Sequence, residues 1–200
     1  MSTVQTFPLS QAAFVLREPI DEVRRTIERR QVEYHLVRHG GRKVRAVDLK
    51  TLVFLNWTYE NHEDLKPSLW SKLYKNLSLH TELPSHIESG DFRASLDQAT
   101  KRVKKRLETL QELEKQIRRT EEGNVVLKGT DIEVHRIAAL LKGGMPIDEI
   151  VADYPSLTRD QIAFAQTYAT AHPKPGRPYP KLTAKAALRQ VDFSSLSLDD

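Results

Sequence analysis

LREPIDEVRRTI, residues 16–27, sets a proline between two short apolar periodicities. Just before it, Ala12, Ala13 and Leu16 fall on one face of a helix for which Ser10 is the expected N-cap. Pro19 breaks that helix and starts another, whose apolar side is Ile20, Val23 and Ile27. Arg24, Arg25, Arg29 and Arg30 are left on its outer side. Two short helices with so tight a join predict a helix-turn-helix. Val32, Tyr34 and Leu36 then alternate with polar positions, Gly40-Gly41 supplies a turn, and Val44 to Val47 returns. This predicts a β-hairpin tipped with Arg38, Arg42 and Lys43. Asp48 is positioned to cap a further helix through Leu49, Leu52, Val53 and Leu55.

Beyond this head, Pro67 opens a helix over 67–80 that gathers Leu69, Trp70, Leu73, Tyr74 and Leu77 on one side. Ser89-Gly90-Asp91 predicts a second hairpin joining 86–88 to 92–96. Leu96, Val103, Leu110 and Ile117 recur every seven residues, with Ala99, Leu107 and Leu113 between them, which predicts one long helix. Its stripe is either a dimer seam or core of its own chain, and the two-fold symmetry that palindromic DNA sites reward favours the seam. Glu121-Glu122-Gly123 ends the helix, and a third hairpin is expected between 125–127 and 132–134 through Gly129-Thr130. Three helices follow, over 134–141, 146–154 and 158–171, the last capped by Ser156 or Thr158. Past His172, Pro173, Pro175, Pro178 and Pro180 predict extended chain, with a last helix over 183–190 and fraying from 194. The expected fold is mainly α with short β-hairpins (α+β). Its segments are a winged helix-turn-helix head at 1–60, a middle with a long coiled-coil-like helix at 61–122, a three-helix unit at 123–171 and a proline-rich tail at 172–200.

Composition narrows the chemistry. Two hundred residues with 39% hydrophobic content suffice for one large or two small cores. No apolar run reaches the roughly 20 residues that cross a bilayer, and 1–10 lacks the pattern of a signal peptide. A soluble cytoplasmic chain without a membrane partner is expected. With no cysteine there are no disulfides, thiolate metal sites or cysteine nucleophiles. The seven histidines show no ligand spacing, neither glycine pair is followed by a phosphate-loop signature, and no nucleophile–base set stands out. The expectation is therefore no metal, no cofactor and no catalysis. The net charge of +4 divides by segment as +3, +1, −2 and +2, so the N-terminal basic excess is the part suited to phosphate.

The order of helices and hairpin around LREPIDEVRRTI, with Val23-Arg24-Arg25 and Asp48-Leu49, resembles the winged-helix head of MerR and excisionase-type DNA-binding proteins over about the first 55 residues. Arg17-Glu18 stands here for the usual Gly-Val of the turn, and Pro19-Ile20 for Ser-Pro. Further on, the run from Gly129 to Val134, the stretch Ile137–Gly144, the run from Ile150 to Thr158, and Ala169, His172-Pro173 and Gly176-Arg177-Pro178 resemble a VapB-like antitoxin family with a homeodomain-like three-helix core. That resemblance covers about 123–180, with Asp131 and Glu133 in place of the usual Arg and Pro. It implies a type II antitoxin that neutralises a PIN-like ribonuclease toxin by direct contact and represses the shared operon.

Several residues thereby acquire candidate roles. Arg24, Arg25, Arg29 and Arg30 would hold phosphates and read the major groove, with Ser10, Gln11 and Asp21 on the same helix pair. Arg42, Lys43 and Arg45 would be wing contacts. For each set the alternative is a solvated, charged face. Pro175, Gly176, Arg177, Pro178, Tyr179 and Leu182 are the candidate toxin contacts, Arg177 by pairing with the toxin's metal-binding carboxylates and Tyr179 and Leu182 as apolar anchors. Their alternative is an ordinary proline-rich tail. Leu96, Val103, Leu110 and Ile117 would join two copies. A different class of function, a transcription regulator without any toxin, keeps the head and gives the C-terminal unit an oligomerising or sensing role.

Overall fold

The computed structural model describes residues 5–39, 42–61, 65–174, 176–177, 179–183 and 187. The chain forms two compact units, Met1–Glu112 and Leu113–Asp200. The architecture is mainly helical with small antiparallel sheets.

The first unit begins with β1 (Thr6–Pro8), which leads directly into α1 (Leu9–Leu16). Ser10 is therefore inside the first turn and not its cap; Pro8 takes the cap position because β1 is held against a later strand. A tight turn at Arg17 leads to α2 (Ile20–Arg30), followed by β2 (His35–His39), β3 (Arg42–Asp48) and α3 (Leu49–Glu60). The sheet order is β1-β3-β2, so the predicted hairpin carries a third strand on its inner edge. Asp48 caps α3 as expected, accepting from the Thr51 amide at 2.8 Å. That helix is buried through Thr51–Asn56, because α1, β3 and α4 (Pro67–Ser78) all pack near it. Phe54 meets Trp70 edge-on at 5.0 Å, and Trp70 stacks on Tyr74 at 5.3 Å. Burying such rings adds to the driving force here.

β4 (His86–Ser89) and β5 (Phe92–Ser95) form the second hairpin, turning at Gly90 with φ +60°. α5 (Asp97–Lys115) follows and stops short of the predicted seam's end. Ile117 lies in β6 (Ile117–Arg119), paired with Leu127 of β7 (Val125–Leu127). Leu96 and Val103 are fully buried and Leu110 is nearly so within the single chain. These three stripe residues thus pack within the chain, while Ile117 is half-buried. Polar anchors agree with this: Arg106 Nη1 donates to the Val15 carbonyl at 2.6 Å, and Arg102 reaches Asn56 and pairs with Glu60. Burial, with Arg17 and Arg102 nearby, lowers the Arg106 pKa.

In the second unit β7 pairs chiefly with β6, leaving one bridge from Val126 to Glu133 where the third hairpin was expected. Three helices complete it: α6 (Val134–Lys142), α7 (Ile147–Asp153) and α8 (Arg159–Ala171). Thr158 and Gln161 form a reciprocal capping box at the start of α8. Tyr168 is the pivot of the core, stacked on His172 at 4.5 Å and edge-on to His135 at 6.0 Å. Burial first, then the charge of Glu114, pushes its phenol up to about 12. His172 Nε2 is 2.9 Å from Glu114, and His135 Nε2 donates to the His172 carbonyl at 2.7 Å.

Candidate nucleic-acid interface

α2 owes its orientation to Val23 and Ile27, both buried, so the intervening arginines are turned outward. Arg24, Arg25 and Arg29 are exposed. Arg24 pairs with Asp21 at 2.8 Å and Arg25 with Glu22 at 3.6 Å, both one turn back. Exposed pairs of this kind hold at most about 1 kcal/mol, so a phosphate can replace them. Asp21 accepts from Arg24 through its carboxylate and from the Arg25 side chain through its backbone carbonyl. Ser10 and Gln11 are half-buried on α1.

Arg30 and Arg45 differ from the rest. Arg30 lies over the Trp70 ring at 5.5 Å. Arg45 donates to Glu28 at 2.6 Å and lies over Tyr34 at 4.9 Å; the Glu28 hydrogen bond is the chief cause of its raised pKa. Both guanidiniums are therefore engaged within the head, one bracing α2 on α4 and the other bracing the wing on α2.

The wing is the more telling element. Its register sets Arg38 directly opposite Lys43, and His39 directly opposite Arg42. The Arg38–Lys43 pair sets like charges directly opposite each other, which is unfavourable without a counter-charge beside them. All four side chains are exposed, and so is Leu36, at 67%. The structure therefore brings Arg38, Arg42 and Lys43 together at one hairpin tip, with Arg24, Arg25 and Arg29 on the outer face of α2. Arg38 was visible as a tip residue; the opposition to Lys43 needed the register.

In the second unit, Gly176 and Arg177 are exposed, while Pro175 and Pro178 lie outside the described residues. Tyr179 and the Leu182 backbone are held by contacts within this unit. Tyr179 donates to Glu133, Lys174 sits 3.7 Å above its ring, and the Leu182 carbonyl accepts from Arg136 at 3.1 Å. Asp131 pairs with Arg118 at 2.7 Å, and Glu133 is the acceptor of the docked Tyr179, so both departures from the resembled motif have partners. Among the described residues no group of three His, Asp or Glu side chains could hold a metal, and no helix is long and apolar enough to cross a membrane.

Comparison with known families adds one finding about this unit. Residues 119–169 match the family model described as "Protein of unknown function (DUF433)". The match runs from the end of β6 through most of α8, about a quarter of the chain. It covers the three-helix core and leaves the whole head and the docked segment outside. No curated protein and no solved structure gives a significant match.

Proposed function

We propose that the chain is a DNA-binding antitoxin-type regulator: the head binds its operator, and the second unit engages a PIN-like ribonuclease toxin. The observation that carries the DNA-binding half is the wing register, which sets Arg38 opposite Lys43 with Arg42 beside them, next to an arginine-faced α2. That arrangement is costly in isolation and favourable against phosphate, where each cation releases a condensed counterion. α2 would enter the major groove, and the wing would run along the backbone or minor groove.

The test is binding to duplex DNA from upstream of the chain's own reading frame, followed by fluorescence anisotropy at several salt concentrations. Arg24→Ala with Arg25→Ala is expected to weaken binding by at least tenfold and to make the salt dependence shallower by about two phosphate equivalents. Unchanged affinity would remove α2 from the interface. The toxin half rests on the resemblance over 123–180 and is tested by co-purification with the product of the adjacent gene. The same double variant should leave that complex intact.

A second reading is favoured by the bonds that hold Tyr179 to Glu133 and the Leu182 carbonyl to Arg136 within the unit. Under it the chain is a stand-alone regulator, with the second unit in an oligomerising or sensing role. Failure to co-purify any neighbour product, with operator binding retained, selects it.

A further inference from the structure

Residues 179–183 form neither helix nor strand, yet each of the five lies against α6, its N-cap Glu133, the turn that ends it, or α7. Tyr179 donates to Glu133. The Pro180 and Leu182 carbonyls accept from the two Nη atoms of Arg136, at 2.8 and 3.1 Å. Arg136 is itself oriented through Nε toward the Tyr154 hydroxyl at 3.4 Å. Thr183, buried, donates to Asp153 at 2.9 Å. At Lys181 the approach is closest: a Cβ added to Gly143 would stand 2.3 Å from the Lys181 carbonyl oxygen. Gly143 has φ −76° and ψ −6°, which any residue adopts, so its lack of a side chain serves the approaching segment and not its own backbone.

These contacts divide as peptide recognition does. Arg136 reads main-chain carbonyls, which every peptide has, while Glu133 and Asp153 read two hydroxyls four residues apart and so fix register. Pro180 between them fixes one backbone torsion, and the chain bends at Lys181 and Leu182, which lowers the ordering cost. We propose that the face bounded by Glu133, Arg136, Gly143 and Asp153 is a groove for a bent peptide of the pattern Tyr-Pro-x-x-Thr, filled in the resting chain by residues 179–183. The partner it fits is a protein segment of that chemistry. This inference stands apart from the DNA and antitoxin readings.

A tethered occupant acts at an effective concentration on the order of millimolar, so the groove is revealed by weakening the occupant and leaving the groove whole. The probe is a fluorescein-labelled peptide with the sequence of residues 179–187, titrated into the full chain carrying Tyr179→Ala and Thr183→Ala. Saturable binding is expected, at least tenfold tighter than to the unaltered chain. Adding Arg136→Gln, or Gly143→Ala, to that variant should weaken it at least tenfold again. A folded double variant that takes up no peptide at millimolar concentration overturns the proposal, as does binding that survives Arg136→Gln. If the double variant loses its helical circular dichroism, Thr183→Ala alone carries the titration, and affinity equal to that of the unaltered chain overturns the proposal.

Discussion

Arg17 ends α1 in the left-handed region, at φ +61° and ψ +33°, where a Cβ crowds the following carbonyl at a cost of about 1–2 kcal/mol. Its guanidinium is also one of the charges that lower the Arg106 pKa. Arg17→Gly removes both penalties, offset in part by the larger unfolded-state entropy of glycine. The expected outcome is a gain of up to about 1 kcal/mol, a rise of several degrees in Tm for a unit of this size, measured by thermal denaturation. Arg17→Lys should leave Tm unchanged; a lower Tm for Arg17→Gly would show that the turn depends on the arginine itself. The turn was readable from Leu16 to Pro19, whereas other residue roles were not. Arg30 and Arg45 resemble their neighbours in a list of cations, and only tertiary packing puts Trp70 under one and Glu28 beside the other.

α6 is tied to the end of α8 by His135, whose Nε2 proton goes to the His172 carbonyl. Burial is the main cause of the lowered His135 pKa, ahead of the opposing hydrogen bond to His172 and the nearby charges of Lys174 and Glu133. A histidine kept neutral by folding takes up its proton more readily when unfolded. Its contribution is therefore complete above the unfolded value of about 6.5 and is lost as pH falls from there toward the lower folded value. Amide protection factors in α6 and α8, taken relative to the intrinsic exchange rate at each pH, should fall between pH 7 and 5.5 in the native chain, and less steeply in His135→Gln, which can still donate but cannot titrate. Equal pH slopes would assign the effect to other groups. The extents of α6, α7 and α8 were evident in the residues because Gly143-Gly144, Pro155 and Thr158 punctuate them. The end of α5 was not. Ile117 continues a seven-residue spacing, but one apolar residue fits a strand equally well, and pairing with Leu127 takes it out of the helix. The proline run likewise reads as free chain, since nothing local announces Arg136 as its clamp.

The charge of the molecule is divided along its two units. Residues 1–112 hold nineteen Lys and Arg against fifteen Asp and Glu, and residues 113–200 hold twelve against twelve, so the whole net charge of +4 belongs to the first. Phosphate contact, if the head supplies it, should then be a property of that unit alone. Counterion release makes this countable, because the slope of log K against log salt is about −0.9 for each phosphate neutralised on duplex DNA. Residues 1–115, ending with α5, are expected to bind operator DNA with a slope within about one phosphate of the full chain's. Affinity itself is a weaker criterion, since any self-association supplied by the second unit would raise it without adding phosphate contacts. A folded fragment with a markedly shallower slope would mean that the neutral unit meets the DNA as well. In that case α8, the third helix of its three-helix core, becomes the next element to substitute.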